Sequence, residues 1–145
     1  MISLLPLVAI EQALTKVSAP ALLAQESPAK QPALPPEAQK LRAAALSAYQ
    51  TGEKKQAVKL QQQLLSWMNV NLPAAHPLRA AALQNMGVYL RGTGQRTEAL
   101  PPSLEAVNIY RELAKSNKDF RPDLANSLNN LGVRLSELGQ RAKAP

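Results

Sequence analysis

The sequence predicts an all-α protein built as an α-solenoid of antiparallel helix pairs, with about two and a half repeats. Residues 83–96 and 128–141 share Leu, Asn, Gly, Val, Leu, Gly, Gln and Arg when they are aligned at a shift of 45 positions. Self-similarity at a fixed period of this size indicates stacked modules. Composition supports helices, because 46% of the residues are hydrophobic but only 3% are aromatic, and Ala and Leu dominate.

Prolines and glycines predict where the helices begin and end. Proline suits the first position of a helix, where no backbone N–H is needed, and glycine suits the position just after the end. The predicted starts are Pro36, Pro77 and Pro122, and the predicted ends are Gly52, Gly94 and Gly139. The resulting repeats cover residues 37–76, 77–121 and 122–145, and the third of them is incomplete.

Five helices follow from this punctuation and from the apolar periodicity, over residues 37–50, 53–70, 77–94, 103–115 and 122–139. Pro101 and Pro102 are expected to break or kink the first turn of the fourth helix. The fifth helix carries one apolar stripe at helical period, formed by Leu124, Leu128, Leu131, Leu135 and Leu138. Because the chain supplies little to cover this stripe, we expect self-association or fraying from Pro122 onwards.

The first 36 residues differ from the rest. Residues 1–24 are largely apolar, and residues 25–36 form a proline-rich linker. The first apolar run of residues 1–24, Ile2 to Ile10, has nine residues and is too short to span a bilayer, which needs about 20. Two readings stay open: a signal sequence that exports the protein to the periplasm or the extracellular space, or an N-terminal helix of a cytoplasmic protein.

Composition argues against several classes of function. Cysteine is absent, which excludes thiolate metal sites and a cysteine nucleophile. The net charge is +7, but the basic residues are scattered and not interleaved with aromatic residues, as nucleic-acid binding usually requires. His76 is the only histidine and has no companion suited to catalysis or metal binding. We therefore predict no enzymatic activity, no cofactor, no metal, no nucleic-acid partner and no small-molecule substrate.

The repeated residues resemble the tetratricopeptide repeat, a helix-turn-helix module with an apolar residue, a small residue, a turn glycine and a small residue in the second helix. The first copy supplies Leu41, Ala44-Ala45, Gly52 and Ala57. The second and third copies supply Leu83, Met86-Gly87, Gly94 and Ala99, and Leu128, Leu131-Gly132, Gly139 and Ala144. The period, longer than the usual 34 or so residues, is similar to that of the kinesin-light-chain type, which is common in bacterial arrays.

A physical argument accompanies the resemblance. Gly87 and Gly132 lie inside predicted helices, where glycine costs about 1 kcal/mol relative to alanine. Such glycines are expected where two helices approach closely. The small residues that face them from the partner helix would be Ala57, Ala99 and Ala144.

The resemblance implies a protein-interaction scaffold, since in this family the first helix of each module lines a concave groove for a partner protein or peptide. By the resemblance, the groove-facing residues are Arg42, Leu46, Tyr49, Gln84, Asn85, Val88, Arg91, Asn126, Asn129, Asn130 and Val133. Asparagine side chains suit recognition of a peptide backbone, because each offers a donor and an acceptor. The alternative is that Asn85 and Asn130 bridge neighbouring helices.

A second function stays open at this point. The chain could be a regulatory or oligomerisation part of a larger protein, because arrays that resemble this one often precede a protease-like or nucleotide-hydrolysing domain. The sequence itself does not decide between this alternative and a small adaptor.

Overall fold

The computed structural model describes residues 34–143, with side chains described up to residue 140. These residues form five α-helices: α1 (Pro36–Gln50), α2 (Lys54–Asn71), α3 (Pro77–Gly92), α4 (Leu100–Ser116) and α5 (Arg121–Lys143), with a 3-10 turn at Lys118–Phe120. No strand occurs within the described range, which confirms the predicted all-α fold. The predicted N-terminal segment 1–24, most of the linker 25–36, and Ala144 lie outside the described residues.

Two helix starts show why proline stands there. Pro36 and Pro77 occupy the first helical positions of α1 and α3, where the missing N–H has no intrahelical acceptor to lose. His76 caps α3, since its Nδ1 accepts a hydrogen bond from the backbone N–H of Leu78 at 3.1 Å. Burial lowers the pKa of His76 from its ordinary 6.5, which favours the neutral ring that this bond requires. The only histidine is thus a helix cap.

Glycine ends α1 and α3 through the same turn. Gly52 and Gly94 have φ of 88° and 82°, a region that side chains with a Cβ rarely adopt. The next residue then turns back, so that the N–H of Glu53 donates to the carbonyl of Ala48 at 2.8 Å. The N–H of Gln95 donates to the carbonyl of Leu90 at 2.9 Å in the equivalent place. Both ends have the Schellman hydrogen-bond pattern, which confirms these two predicted ends.

The third predicted end is wrong, because α5 continues through Gly139 to Lys143. At Gly52 and Gly94 the chain turns so that the next helix can pack back on the previous one. No later helix packs on α5 within the described residues, so the helical hydrogen bonds simply continue. Glycine permits a turn, and the packing of the following helix decides whether one forms.

The predicted break at Pro101 and Pro102 is also wrong. Helix α4 begins at Leu100, so both prolines lie in its first turn. The first four N–H groups of an α-helix have no intrahelical partner, and proline therefore loses nothing there. Residues 100–116 form one continuous helix.

The helices form two layers. Helices α1 and α2 make one hairpin, α3 and α4 make the next, and α5 packs on α4. The ring of Tyr49 on α1 contacts the ring of Tyr89 on α3, and Arg91 of α3 forms an ion pair with Glu137 of α5. Helices α1, α3 and α5 therefore lie side by side in one layer, with α3 in the middle. In the other layer Leu65 of α2 packs against the cluster that holds α4 residues.

Small residues stand where the paired helices cross. Ala45 and Ala57 are fully buried in the same apolar cluster, which joins α1 to α2. A Cβ placed on Gly87 of α3 would lie 2.6 Å from Ser103 Oγ and 3.4 Å from the carbonyl oxygen of Ala99 on the α4 side. The predicted close approach of small residues is confirmed in these two hairpins.

Helix α5 is covered on one side only. Leu124, Leu131 and Leu138 are half-buried, whereas Leu128 and Leu135 are 42% and 51% exposed. The predicted leucine stripe is thus divided between a packed edge and an open edge. The side of α5 that turns inward carries polar residues, namely Ser127, Asn130 and Arg134.

Two glycine substitutions separate a packed helix face from an open one. Gly132→Ala should raise the free energy of unfolding by about 0.5–1 kcal/mol, because nothing lies within 4 Å of its new Cβ and alanine favours helix. Gly87→Ala should be about 1–3 kcal/mol less favourable than Gly132→Ala, because the Ser103 hydroxyl would have to move. Urea unfolding of both variants measures the difference. Adding Ser103→Ala to Gly87→Ala should recover most of the loss, and equal effects of the two glycine substitutions would contradict this account.

Candidate functional site

The residues predicted to bind a partner all lie on α1, α3 and α5, the helices of one layer. They differ in burial. Asn126 and Asn129 are exposed. The half-buried members are Arg42, Leu46, Tyr49, Asn85, Arg91 and Val133. Gln84, Val88 and Asn130 are buried between the helices, so a partner would reach them only after α3 and its neighbours part.

Aromatic side chains join α1 to α3. The ring centroids of Tyr49 and Tyr89 are 5.0 Å apart with the planes tilted by 35°, a favourable geometry for an aromatic pair. Tyr89 is 1% exposed, and burial, followed by the neighbouring Tyr49, raises its pKa well above 10.0. A Cβ on Gly92 would lie 2.9 Å from Tyr49 Cε2, so this glycine makes room for the Tyr49 ring. The ammonium of Lys54 lies 5.9 Å from the centre of the same ring.

An ion pair joins α3 to α5. Nε and Nη2 of Arg91 both lie 2.6 Å from Oε1 of Glu137, 46 residues further along the chain. Both side chains are partly buried, with 35% and 20% of their surface exposed. The hydrogen bond from Arg91 holds the pKa of Glu137 below its ordinary 4.5, and the same bond raises the pKa of Arg91. The pair is therefore charged at neutral pH and ties the second repeat to the third.

Arg134 lies near this pair, and Gln84 and Asn130 are further buried polar residues on the same two helices. We call these five residues the polar seam: Gln84, Arg91, Asn130, Arg134 and Glu137. Arg134 is 2% exposed, and burial, followed by the nearby charge of Arg91, lowers its pKa. Several polar atoms of the seam lack a hydrogen-bond partner among the described residues: the Gln84 amide, Asn130 Nδ2, Arg134 Nε and Nη1, and Glu137 Oε2. A buried polar atom without a partner costs about 1–3 kcal/mol. The contact between α3 and α5 is thus a polar one.

Sequence reasoning did not single out Arg134 and Glu137. The repeat itself contains a signal that could have found them. At the shift of 45, Arg134 stands where the second copy has the buried Tyr89, and Glu137 stands where it has Gly92, which packs closely. Charged residues at positions that are buried in an earlier copy indicate a polar contact between modules.

Other kinds of site find no support in the described part of the chain. Residues 34–140 contain no group of three His, Cys, Asp or Glu side chains placed to hold a metal ion. None of the helices α1 to α5 is both long enough and apolar enough to cross a bilayer.

The comparison with family models bears on the middle of the chain. Residues 79–118 match the model of the tetratricopeptide repeat, and this range covers most of α3 and all of α4. This segment is a tetratricopeptide repeat. A search of curated proteins finds none that matches the chain.

The match confirms the predicted repeat for residues 79–118, while the kinesin-light-chain subtype stays a prediction. Tetratricopeptide repeats are a family of non-enzymatic scaffolds, and the match suggests a protein-interaction module at α3 and α4. Arg79 joins the two helices of this repeat and also ties the repeat to the preceding one. Its Nη1 lies 2.6 Å from Oε1 of Glu105 on α4, and its Nε donates to Asn69 of α2 at 3.0 Å.

The ion pair predicts a pH-dependent stability. Glu137→Gln should lower the free energy of unfolding by about 1–2 kcal/mol at pH 7, because Arg91 and the buried Arg134 lose their carboxylate. The pKa of Glu137 is depressed in the folded state by Arg91, with Arg134 and Arg96 nearby. Its contribution is therefore full above the ordinary carboxyl pKa and is lost as the pH falls through the folded value.

Urea unfolding of the wild type and of Glu137→Gln at pH 7 and pH 3 checks this, and the difference should shrink in acid. Glu112→Gln is the matched control, because Glu112 pairs with Lys115 on the exposed surface of α4. That substitution should leave stability nearly unchanged. A loss for Glu137→Gln that persists at pH 3 would show that the charge is not the cause.

Proposed function

We propose that the chain binds a segment of a partner protein along the layer formed by α1, α3 and α5. The observation that supports this most directly is the placement of polar side chains at one-repeat intervals on that layer, around a tetratricopeptide repeat. The outer helix α5 contributes the exposed Asn126 and Asn129, and α1 contributes the half-buried Arg42 and Tyr49.

The chemistry of these side chains suits a peptide backbone. Each asparagine amide offers a donor and an acceptor, which match the N–H and C=O of an extended segment. The tyrosine ring adds rigid apolar contact area with a polar tip. A net charge of +7 favours segments with acidic residues through long-range attraction.

The buried members of the predicted set would act differently. Gln84, Val88 and Asn130 lie between α3 and its neighbours, where they set the spacing of the helices that carry the exposed groups. The proposal therefore assigns direct contact to Asn126, Asn129 and the half-buried residues, and a positioning role to the buried three.

A display experiment tests the proposal. Peptides selected from a random library against the full chain should bind on the side of α1, α3 and α5. Asn126→Ala combined with Asn129→Ala should lower the affinity for such a peptide by roughly fivefold for each lost hydrogen bond. The helicity of the protein should not change. Calorimetry measures the affinity, and chemical-shift mapping locates the peptide.

The matched control is Gln62→Ala combined with Gln63→Ala, two exposed positions on α2 in the other layer. That variant should bind as tightly as the wild type. The proposed binding along α1, α3 and α5 would be wrong if the shifts place the peptides on α2 and α4. It would also be wrong if they bind the asparagine variant with unchanged affinity.

Self-association through α5 is a further part of the proposal. Leu128 and Leu135 are exposed, and full burial of a leucine contributes about 1.5–3 kcal/mol. Two copies that cover each other's leucines should form a weak dimer. Sedimentation over rising concentration should show it, and Leu135→Ser should reduce it. A strictly monomeric chain with strong hydrogen-exchange protection over Leu124–Leu138 would exclude it.

A further inference from the structure

The charged members of the polar seam are two arginines and one carboxylate. Nε and Nη2 of Arg91 both contact Oε1 of Glu137, at 2.6 Å each. The other carboxylate oxygen, Oε2, is buried and has no hydrogen-bond partner among the described residues. Nε and Nη1 of Arg134 are buried and unpartnered in the same way. The seam therefore has one positive charge in excess, two unused donor atoms on Arg134 and an unused acceptor on Glu137.

Glu137 lies within reach of both arginines. Arg134 precedes it by three positions on α5, a spacing at which an arginine and a carboxylate of one helix can pair. Burial lowers the pKa of Arg134, Arg91 lowers it further, and Glu137 raises it, so the three charges act on one another. Glu137 therefore has two alternative partners, and in the free chain it pairs with Arg91.

The two arginines differ in how easily a ligand can reach them. The side chain of Arg91 is 35% exposed, whereas Arg134 is only 2% exposed. A carboxylate that arrives from outside therefore meets Arg91 first. Once it replaces Glu137 there, Glu137 is free to pair with Arg134, and two carboxylates then serve two arginines. This exchange is favourable at Arg134, because a buried cation is costly without a partner.

We propose that Glu137 holds the place of a partner's carboxylate on Arg91, and that it moves to Arg134 when an acidic side chain of the partner takes Arg91. The inference rests on the proposed binding along α1, α3 and α5, and it names the chemistry that the middle of this layer selects. A side chain is favoured over a chain end, because α3 lies between α1 and α5 and a bound segment continues to both sides of Arg91.

A simpler account makes Glu137 a fixed link between α3 and α5. In that account Arg91 keeps Glu137 when a partner binds, and acidic groups of the partner are attracted only by the net charge of +7. The two accounts differ at Arg134, which the partner itself does not touch. Only the exchange of Glu137 gives Arg134 a new hydrogen bond on binding.

NMR spectra of the arginine side chains follow the exchange directly. The probe is a short peptide of serine and asparagine with a central glutamate and blocked ends, added to the full chain. Binding should shift the Nε–H signals of both arginines, because Arg91 gains a new acceptor and Arg134 donates to Glu137. The same peptide with a central glutamine should shift neither signal. A glutamine peptide with a free C-terminal carboxylate should bind more weakly than the glutamate peptide.

Single substitutions separate the exchange from the effect of net charge. Glu137→Gln frees Arg91 of its charged partner and should raise the affinity for the glutamate peptide by roughly tenfold. The matched control is Glu98→Gln, which removes the same charge at an exposed position and should change the affinity far less. Arg91→Gln should abolish the preference for glutamate over glutamine. Arg111→Gln, exposed on α4 in the other layer, should keep this preference.

A double substitution tests the role of Arg134. Arg134→Gln should lower the affinity several-fold, because Glu137 then has no second arginine to receive it. In a chain that already carries Glu137→Gln, the same change should have little effect, since no carboxylate moves. An arginine that acts by its charge alone would lower the affinity equally in both chains. If a variant loses helicity by circular dichroism, the spectra of the wild-type chain carry the test.

Three results would overturn the inference. They are an Arg134 signal that stays unchanged while Arg91 shifts, a Glu137→Gln effect no larger than that of Glu98→Gln, and equal effects of Arg134→Gln in both chains. Tighter binding of the peptide with the free carboxylate would contradict the choice of a side chain. Peptides that bind along α1, α3 and α5 without a shift at Arg134 would remove this inference alone, whereas peptides that bind on α2 and α4 would remove the proposed function as well.

Discussion

The close contact between the two helices of a hairpin is the constraint on which the rest of the structure depends. At Gly87 the helices approach so closely that a methyl group would strike Ser103. The fully buried Ala45 and Ala57 occupy the corresponding place in the first hairpin. Because each contact needs small residues on both helices, it fixes the register of α1 on α2 and of α3 on α4. With this register, the leucines around the contact, such as Leu83 and Leu90, are buried.

Contacts between successive repeats combine apolar packing with polar groups. Leu64 and Met68 of α2 pack in one cluster with Leu78 and Ala82 of α3, and Leu124 of α5 packs against the cluster that holds α4 residues. The first helix of one repeat meets the first helix of the next through the tyrosine pair between α1 and α3, and through the polar seam between α3 and α5. Arg91 is the central member of this second contact, since it supplies both bonds to Glu137 while Arg134 lies buried beside it. Helix α5 thus packs on α4 through part of its leucine stripe, meets α3 through the polar seam, and leaves Leu128 and Leu135 exposed.

The predicted site residues show which features of the site the repeat period predicts and which it does not. The repeat placed them on α1, α3 and α5, and these helices do share a layer. Periodicity did not foresee that Gln84 and Asn130 would be buried while Asn129 stays exposed. Burial depends on which side of α5 turns inward, and that side carries the buried Arg134 and the half-buried Glu137, whose charges the second copy lacks at the equivalent positions. A prediction that averages over copies misses the residues that differ between them.

Local rules in the sequence determined the helical class, the helix starts at Pro36 and Pro77, and the turns at Gly52 and Gly94, because each depends on backbone geometry within a few residues. The tertiary structure decided whether those rules are used. Gly139 repeats the turn glycine, yet α5 continues through it, since no following helix packs back on it within the described residues. The leucines of α5 repeat those of α3, yet Leu128 and Leu135 are exposed for the same reason. The sequence limits the backbone conformations that each segment can adopt. A packing partner decides which of them forms, because burial of apolar side chains contributes more free energy than local backbone preference.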